Sequence, residues 1–164
     1  MKKYDLCIIG AGPSGYAAAM RAVDFGKSVA LIEKSEIGGA GVTNGALSSK
    51  TWWELSRNVD RVINHKSRYN LSSPTLNFDE LKGEVAAAVA DRKDMLYSHI
   101  EKINAHSNGL GTIDLIRGQA RVLTKNSIEI RTAEGSQELE TDYIILATGS
   151  RPRKLPNIPI DEDI

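Results

Sequence analysis

The chain has 164 residues, of which 41% are hydrophobic, so it is long enough to form one domain with a buried core. Lysine plus arginine and aspartate plus glutamate both number 21, and this balance argues against a nucleic-acid partner and an anionic membrane surface. The sequence shows no signal peptide and no run near the roughly 20 apolar residues of a membrane span, so we expect a cytoplasmic protein.

The first predicted elements form a βαβ unit around a glycine-rich turn. Residues 4–9 are a short apolar strand, residues 16–25 an alanine-rich helix, and residues 28–32 a second apolar strand. The sequence GAGPSG occupies positions 10–15, and Glu33 ends the second strand. An acidic residue about 20 positions after such glycines is typical of a dinucleotide site.

Each glycine of this turn has a predicted task. Gly10 permits the tight turn, Gly12 lets the backbone approach a pyrophosphate, and Gly15 allows the helix to pack closely on the strand. The pyrophosphate would lie at the helix N-terminus, where free N–H groups and the helix dipole favour an anion. Glu33 would accept hydrogen bonds from ribose hydroxyls. The alternative is a glycine turn in an ordinary α/β protein.

Two helices are predicted in the middle of the chain. A glycine-rich loop at 37–41 precedes a helix from about 46 to 63, and a polar loop follows at 64–76. Asn77 and Glu80 resemble a capping box at the start of a long helix that should end near 108–109.

From Thr112 onward the pattern changes to that of strands. Short strands joined by turns are predicted at 113–116, 120–123, 127–131 and 137–140. A more continuously apolar run at 143–147 suits a buried parallel strand. The single cysteine, Cys7, excludes an intrachain disulfide and a cysteine-based metal cluster, and its place in the first strand indicates a core residue.

Several motifs together carry a family resemblance. In chain order they are GAGPSG at 10–15, Glu33-Lys34, Gly38-Gly39, Lys50, Gly118-Gln119-Ala120, and Ala147-Thr148-Gly149-Ser150-Arg151-Pro152. This order resembles the FAD domain of dihydrolipoamide dehydrogenases and related pyridine nucleotide-disulfide oxidoreductases, over essentially the whole chain. The resemblance implies an α/β fold of the Rossmann-like FAD-binding type, a parallel sheet with helices and an inserted antiparallel β-meander. It assigns 1–150 to the FAD-binding domain and 151–164 to a connector toward an NAD(P)-binding domain that this chain lacks.

The same resemblance implies FAD as the cofactor and a set of positions that contact it. These positions are Gly10, Gly12, Pro13, Ser14, Gly15, Glu33, Lys34, Gly39, Ala40, Gly41, Lys50, Gly118, Ala120, Ala147, Thr148 and Gly149. Glu33 would bind the adenosine ribose, residues 39–41 would line the pyrophosphate and flavin side, and Gly118 and Ala120 would contact adenine through backbone groups. Lys50 would approach the isoalloxazine ring, with a solvated helix lysine as the alternative.

The sequence departs from the family at the redox site. Gly41 and Ala46 stand at the two cysteine positions, and Ser48 replaces the usual proline. Neither replaced position has a thiol, so dithiol–disulfide exchange is chemically impossible there. No catalytic residue and no metal site is predicted.

Family members are usually far longer than this chain. They carry an NAD(P) domain, a returning segment of the FAD domain and a dimerisation domain. NAD(P)H would therefore bind only through a domain outside this chain, and the complete relatives would be homodimers. The returning segment supplies another strand, so a sheet edge should be open here.

Three functions remain to be weighed on the sequence. The first is an FAD-dependent oxidoreductase in which NAD(P)H reduces the flavin and electrons leave to a quinone, a nicotinamide or dioxygen. The second is a non-catalytic flavin-binding module, and the third is an NAD-dependent Rossmann dehydrogenase. We expect this chain by itself to be inactive. Trp52 and Trp53 would either shape the site near the flavin or divide between core and interface.

Overall fold

The computed structural model describes residues 2–43, 45–69, 72, 75–106, 111–151 and 153–159. Within these residues, the strands are β1 Lys2–Ile9, β2 Ser28–Glu33, β3 Thr112–Arg117, β4 Gln119–Thr124, β5 Ser127–Thr132 and β6 Gly135–Leu146. The helices are α1 Pro13–Asp24, α2 Gly39–Val42, α3 Ala46–Asn64 and α4 Phe78–Ala105, with a short 3-10 turn at Lys66–Tyr69. Positions 152 and 160–164 of the predicted connector lie outside the described residues.

The strands form one mixed sheet in the order β3-β2-β1-β6-β5-β4. Strands β3, β2 and β1 are parallel to one another, and β6 is parallel to β1. Strands β4 and β5 are antiparallel, and β5 pairs antiparallel with the first part of β6. A parallel sheet with helices and an antiparallel meander is therefore present, which confirms the predicted fold class.

Two strand predictions were wrong in detail. The strand predicted at 113–116 belongs to the parallel part of the sheet, because the long helix α4 makes the crossover that brings β3 beside β2. The strands predicted at 137–140 and 143–147 are one strand, β6. The side-chain amide of Asn126 donates to the carbonyl oxygens of Thr141 (2.8 Å) and Asp142 (3.2 Å), so the chain stays extended between the two predicted segments.

The later half of β6 has an open edge. Beyond Glu140, β6 pairs only with β1 among the described residues, as the open edge predicted from the sequence requires. Tyr143 and Leu146 on this part of the strand are 73% and 68% exposed. Because side chains alternate along a strand, these two residues lie on opposite faces of the sheet beside the open edge.

The helix predictions also need correction at two places. Helix α1 begins at Pro13 and not at residue 16, because proline at the first helical position already has the required φ. The loop predicted at 37–41 overlaps the single helical turn α2, which spans Gly39–Val42. Asn77 caps α4 as predicted, accepting hydrogen bonds from the N–H groups of Asp79 and Glu80. Helix α4 ends at Ala105, and the predicted end at 108–109 lies outside the described residues.

The core has two layers, one on each face of the parallel strands. On one face, Ile8 and Leu31 pack with residues of α1 and α4, including Val23 and Leu96. The members of the second cluster come from β1, β2, β5 and β6, and they are Tyr4, Cys7, Ile9, Ala30, Ile32, Ile128, Ile130 and Leu139. The helices and the meander therefore cover opposite faces, and the ends of the parallel strands stay free to form a site.

Candidate functional site

The carboxyl ends of β1 and β2 meet the start of α1 at the glycine-rich turn 10–15, which we call the cradle. Backbone hydrogen bonds tie this turn to three neighbouring segments. The Gly10 N–H donates to Ile32 O at 2.7 Å, and the Gly38 N–H donates to Ala11 O at 2.8 Å. The Ala147 N–H donates to Ile9 O at 2.8 Å. The cradle thus lies where β1 separates β2 from β6, the position at which open α/β sheets bind ligands.

Two glycines of the cradle are required by backbone packing. Gly10 has φ +105°, and a Cβ atom there would lie 2.3 Å from the carbonyl oxygen of Ala147. A Cβ atom at Gly15 would lie 1.8 Å from the carbonyl oxygen of Gly10. Both distances are far below van der Waals contact, so a side chain at either position would force the backbone segments apart.

Gly12 and its neighbours differ from this pair. Gly12 has φ −72°, and the nearest atom to a Cβ there would be the Gly39 Cα, at 3.9 Å. Gly39 has φ +51°, and its own Cβ would lie 3.0 Å from the Gly12 Cα. A Cβ at Gly41 would lie 2.6 Å from Pro13 Cγ. Packing within the chain therefore leaves room for a methyl group at Gly12, whereas α2 closely approaches the cradle through its glycines.

Within the described residues, the N-terminus of α1 presents backbone donors that no side chain caps. Its N-cap residue is Gly12, which has no side chain to accept a hydrogen bond from the first turn, and that turn contains no acidic residue. Pro13 and Ser14 are exposed there, while Gly15 is buried. The free N–H groups and the dipole of this 12-residue helix favour an anion at this end.

Glu33 is held in the cradle by backbone donors. Its Oε2 accepts the Ala11 N–H and its Oε1 accepts the Ser35 N–H, both at 2.8 Å. Each carboxylate oxygen keeps a further acceptor site, so the side chain could still bind hydroxyl groups. The roles of Ala11 and Ser35 were not predicted, because a backbone N–H donor leaves no signal in residue type.

Gly118 and Ala120 follow the end of β3, and Gly118 lies next to Glu33. The Gly118 N–H donates to Glu33 O at 2.9 Å. A Cβ at Gly118 would lie 2.7 Å from Ile130 Cγ2, and Ala120 packs against the cluster between the sheet and the meander. Lys34 is exposed beside Glu33. The structure therefore brings this group together with the cradle.

The remaining candidate residues differ in how closely they approach the cradle. Ala147 and the Cα of Thr148 adjoin Gly10, while Gly149 has φ +73° and open space around it. Ala40 is exposed in α2, and Lys50 is exposed in α3. We find no hydrogen bond or ion pair from Lys50 to the cradle in the described part of the chain.

The two tryptophans have different environments. Trp52 stacks on Phe78, with ring centroids 5.5 Å apart and an interplanar angle of 23°. It therefore contributes to the packing of α3 on α4, and Trp53 is 64% exposed. No contact of either ring with the cradle is seen within the described residues.

The sole cysteine is chemically inert in this fold. Cys7 is fully buried in β1, and burial raises the pKa of its thiol to about 12.

No cluster of three metal-ligating side chains occurs among the described residues. In the same part of the chain, no helix has the length and apolar character needed to cross a bilayer.

Comparison with known proteins gives a consistent result. The family model described as pyridine nucleotide-disulphide oxidoreductase matches residues 4–163. Dihydrolipoyl dehydrogenase 3 of Haloarcula marismortui is 31% identical over 162 residues, which cover 97% of this chain and 32% of that protein. A dihydrolipoyl dehydrogenase of Bacillus subtilis is 30% identical over 158 residues, covering 95% of this chain and 33% of that protein.

Solved structures show the same partial coverage. The Cu(II) complex of the HOCl-induced flavoprotein disulfide reductase RclA from Escherichia coli superposes with a TM-score of 0.73 and 25% identity. The match covers 95% of this chain and 31% of that chain. The chain thus spans about a third of the length of the relatives that it matches.

Proposed function

The chain belongs to the pyridine nucleotide-disulphide oxidoreductase family, and on that premise we propose that it is the FAD-binding portion of a flavoprotein oxidoreductase similar to dihydrolipoyl dehydrogenase. In this proposal residues 1–150 form the FAD-binding segment, and residues 151–164 connect it to an NAD(P)-binding domain. Relatives of about three times this length match it over nearly its whole sequence, which supports its being one portion of such an oxidoreductase.

The observation that carries the proposal is the cradle with its uncapped helix N-terminus. The first turn of α1 contains no acidic residue and, among the described residues, no side-chain cap, and Gly12 leaves room for a close neighbour. Glu33 lies at the end of β2 with spare acceptor sites. An anion beside a hydroxyl-bearing sugar matches this donor and acceptor set, so the residues present fit the diphosphate and ribose of FAD.

The proposed contacts follow this geometry. The start of α1 would hold the pyrophosphate, Glu33 would hold the ribose hydroxyls, and Gly118 and Ala120 would meet adenine through their backbone. The remaining contacts would come from Lys34, Gly39, Ala40, Gly41, Ala147, Thr148 and Gly149. Lys50 is exposed on α3, and its approach to the isoalloxazine ring is the least supported of these contacts.

FAD would supply the chemistry, by accepting a hydride from NAD(P)H in the complete protein. The residues of this chain would bind and orient it. Gly41 and Ala46 carry no thiol, so electrons would leave by a route other than dithiol–disulfide exchange. A quinone, a second nicotinamide and dioxygen are the candidate acceptors.

Cofactor content gives the first test. We expect the purified chain to bind FAD with a visible flavin absorbance band, and Gly12→Ala to weaken binding while Gly83→Ala leaves it unchanged. Denaturation that releases NAD and no flavin would overturn the proposal in favour of a nicotinamide-dependent dehydrogenase. For a longer protein that contains this chain, anaerobic addition of NAD(P)H should bleach the flavin.

A non-catalytic flavin-binding module is the second candidate function. The absence of both family cysteines, at Gly41 and Ala46, favours it, because a module that transfers no electrons needs neither thiol. A Cβ at Gly41 would lie 2.6 Å from Pro13 Cγ, so a cysteine there would require the neighbouring atoms to shift. Both candidates predict bound FAD. NAD(P)H-dependent reduction of an artificial acceptor by the longer protein separates them, since the module would give no turnover.

A further inference from the structure

The segment 34–38 joins the end of β2 to α2, and two of its backbone N–H groups hold parts of the proposed cofactor site. The Ser35 N–H donates to Glu33 Oε1 at 2.8 Å, and the Gly38 N–H donates to Ala11 O at 2.8 Å. Glu33 is the proposed ribose ligand, and Ala11 belongs to the cradle. Two of the hydrogen bonds that hold the site therefore depend on where this segment lies.

Two neighbouring side chains anchor the segment in different ways. Ile37 is 1% exposed and belongs to the core cluster that also contains Leu96 of α4. The Glu36 side chain is partly exposed and contacts two cationic side chains. The apolar contact fixes the part of the segment next to Gly38, whereas the contacts of Glu36 act directly beside Ser35.

Glu36 connects three parts of the fold. Arg117, the last residue of β3, donates a hydrogen bond from Nη2 to Glu36 Oε1 at 3.0 Å. Lys93 of α4 lies on the other oxygen, with its Nζ 3.6 Å from Glu36 Oε2. Each carboxylate oxygen thus has its own cationic partner, and the segment 34–38 is held to a helix and to a strand at the same time.

The two ion pairs differ in their exposure to water. The Lys93 side chain is 24% exposed, whereas that of Arg117 is 75% exposed. Water and salt screen an exposed pair strongly and a partly buried pair less. The Lys93 pair is the better shielded of the two, and the Arg117 pair has the shorter contact. A carboxylate shared by both cations holds the segment better than either isolated pair would.

We propose that Glu36 is a positioning residue for the FAD site. By fixing the segment 34–38 between α4 and β3, it keeps the Ser35 N–H on the Glu33 carboxylate and so orients that carboxylate for the ribose hydroxyls. This inference rests on the proposed function, because it requires Glu33 to bind the cofactor. Glu36 does not contact the cofactor in this proposal and acts only through Glu33.

The affinity of the full 164-residue chain for FAD gives the first test, measured by flavin fluorescence titration. Glu36→Gln removes the charge and keeps the shape of the side chain, and we expect it to weaken FAD binding about fivefold. Glu54→Gln is the matched control, because Glu54 also forms an ion pair, with Arg61 at 3.9 Å on α3. This control should bind FAD like the wild type, and circular dichroism checks that each variant is folded.

A double-mutant cycle separates positioning from a purely structural role. In a Glu33→Gln background, Glu36→Gln should not weaken FAD binding further, because the residue through which it acts is already changed. An ion-pair cluster that only supports the fold would give the same loss in both backgrounds. Equal losses, or a Glu36→Gln chain with the affinity of the wild type, would overturn the proposal.

Hydrogen exchange tests the same idea without the cofactor. In the FAD-free chain, Glu36→Gln should speed exchange of the Ser35 amide about threefold or more, because its hydrogen bond to Glu33 opens more often. Glu54→Gln should leave this rate unchanged. An unchanged Ser35 rate in Glu36→Gln would overturn the positioning role, whereas a wild-type chain that binds no FAD would refute the proposed function itself.

Discussion

The substitution Gly15→Ala tests the tight packing of the cradle most directly. Its Cβ would lie 1.8 Å from the Gly10 carbonyl oxygen and 3.2 Å from the Ala147 Cβ. Restoring ordinary contact at 3.4 Å would require the two backbone segments to separate by about 1.6 Å. The obstructing carbonyl cannot move freely, because the Gly10 N–H is bonded to Ile32 O at 2.7 Å.

The expected loss of stability follows from two opposing effects. Overpacking typically costs about 1–3 kcal/mol, and a contact this short with backbone belongs at the upper end or beyond. Replacing glycine by alanine inside a helix returns about 1 kcal/mol. We therefore expect Gly15→Ala to lower the free energy of unfolding by about 2 kcal/mol or more.

Gly83→Ala is the matched control for this experiment. Gly83 also lies inside a helix, α4, but a Cβ there would meet no atom within 4 Å. This substitution should raise the free energy of unfolding by about 0.5–1 kcal/mol. Urea denaturation followed by circular dichroism measures both variants at constant m-value. If Gly15→Ala matched the wild type, or if both variants shifted in the same direction, the packing argument would be refuted.

Three further predictions use the same stability assay or a simple extension of it. Gly12→Ala should change the free energy of unfolding by less than about 0.5 kcal/mol, because its Cβ has room, yet weaken FAD binding in calorimetric titration. Hydrogen bonds from Ser28 lower the pKa of Asp5 from 3.8 to about 2, so its contribution is present above 3.8 and lost as the pH falls toward 2. Because the Asp5 side chain is 37% exposed, we expect a loss of only about 1 kcal/mol over that interval, and a pH series should show no such loss in Asp5→Asn. Asn77→Ala removes the α4 cap and should cost about 1 kcal/mol, and an unchanged unfolding midpoint would contradict the capping role.

The sequence by itself determined the local elements and the kind of site. Glycine spacing, an alanine-rich helix and a terminal glutamate identified the βαβ unit, because each of these signals depends only on near neighbours in the chain. The N-cap at Asn77 was predictable for the same reason. The absence of thiols at Gly41 and Ala46 also followed from residue identity alone.

Tertiary structure decided what depends on contacts between distant segments. The pairing of β3 with β2 follows from the α4 crossover. Strand β6 pairs with β5 in its first part and with β1 in its later part, within one continuous strand. A local strand pattern shows neither of these pairings. The sequence predicted separate tasks for the glycines of the cradle, but only the fold shows the atoms involved: a Cβ at Gly15 would lie 1.8 Å from a backbone carbonyl oxygen, whereas one at Gly12 would have space beside it. The physical reason is that whether a side chain fits at a glycine depends on the atoms that surround the position, and those atoms come from other parts of the chain.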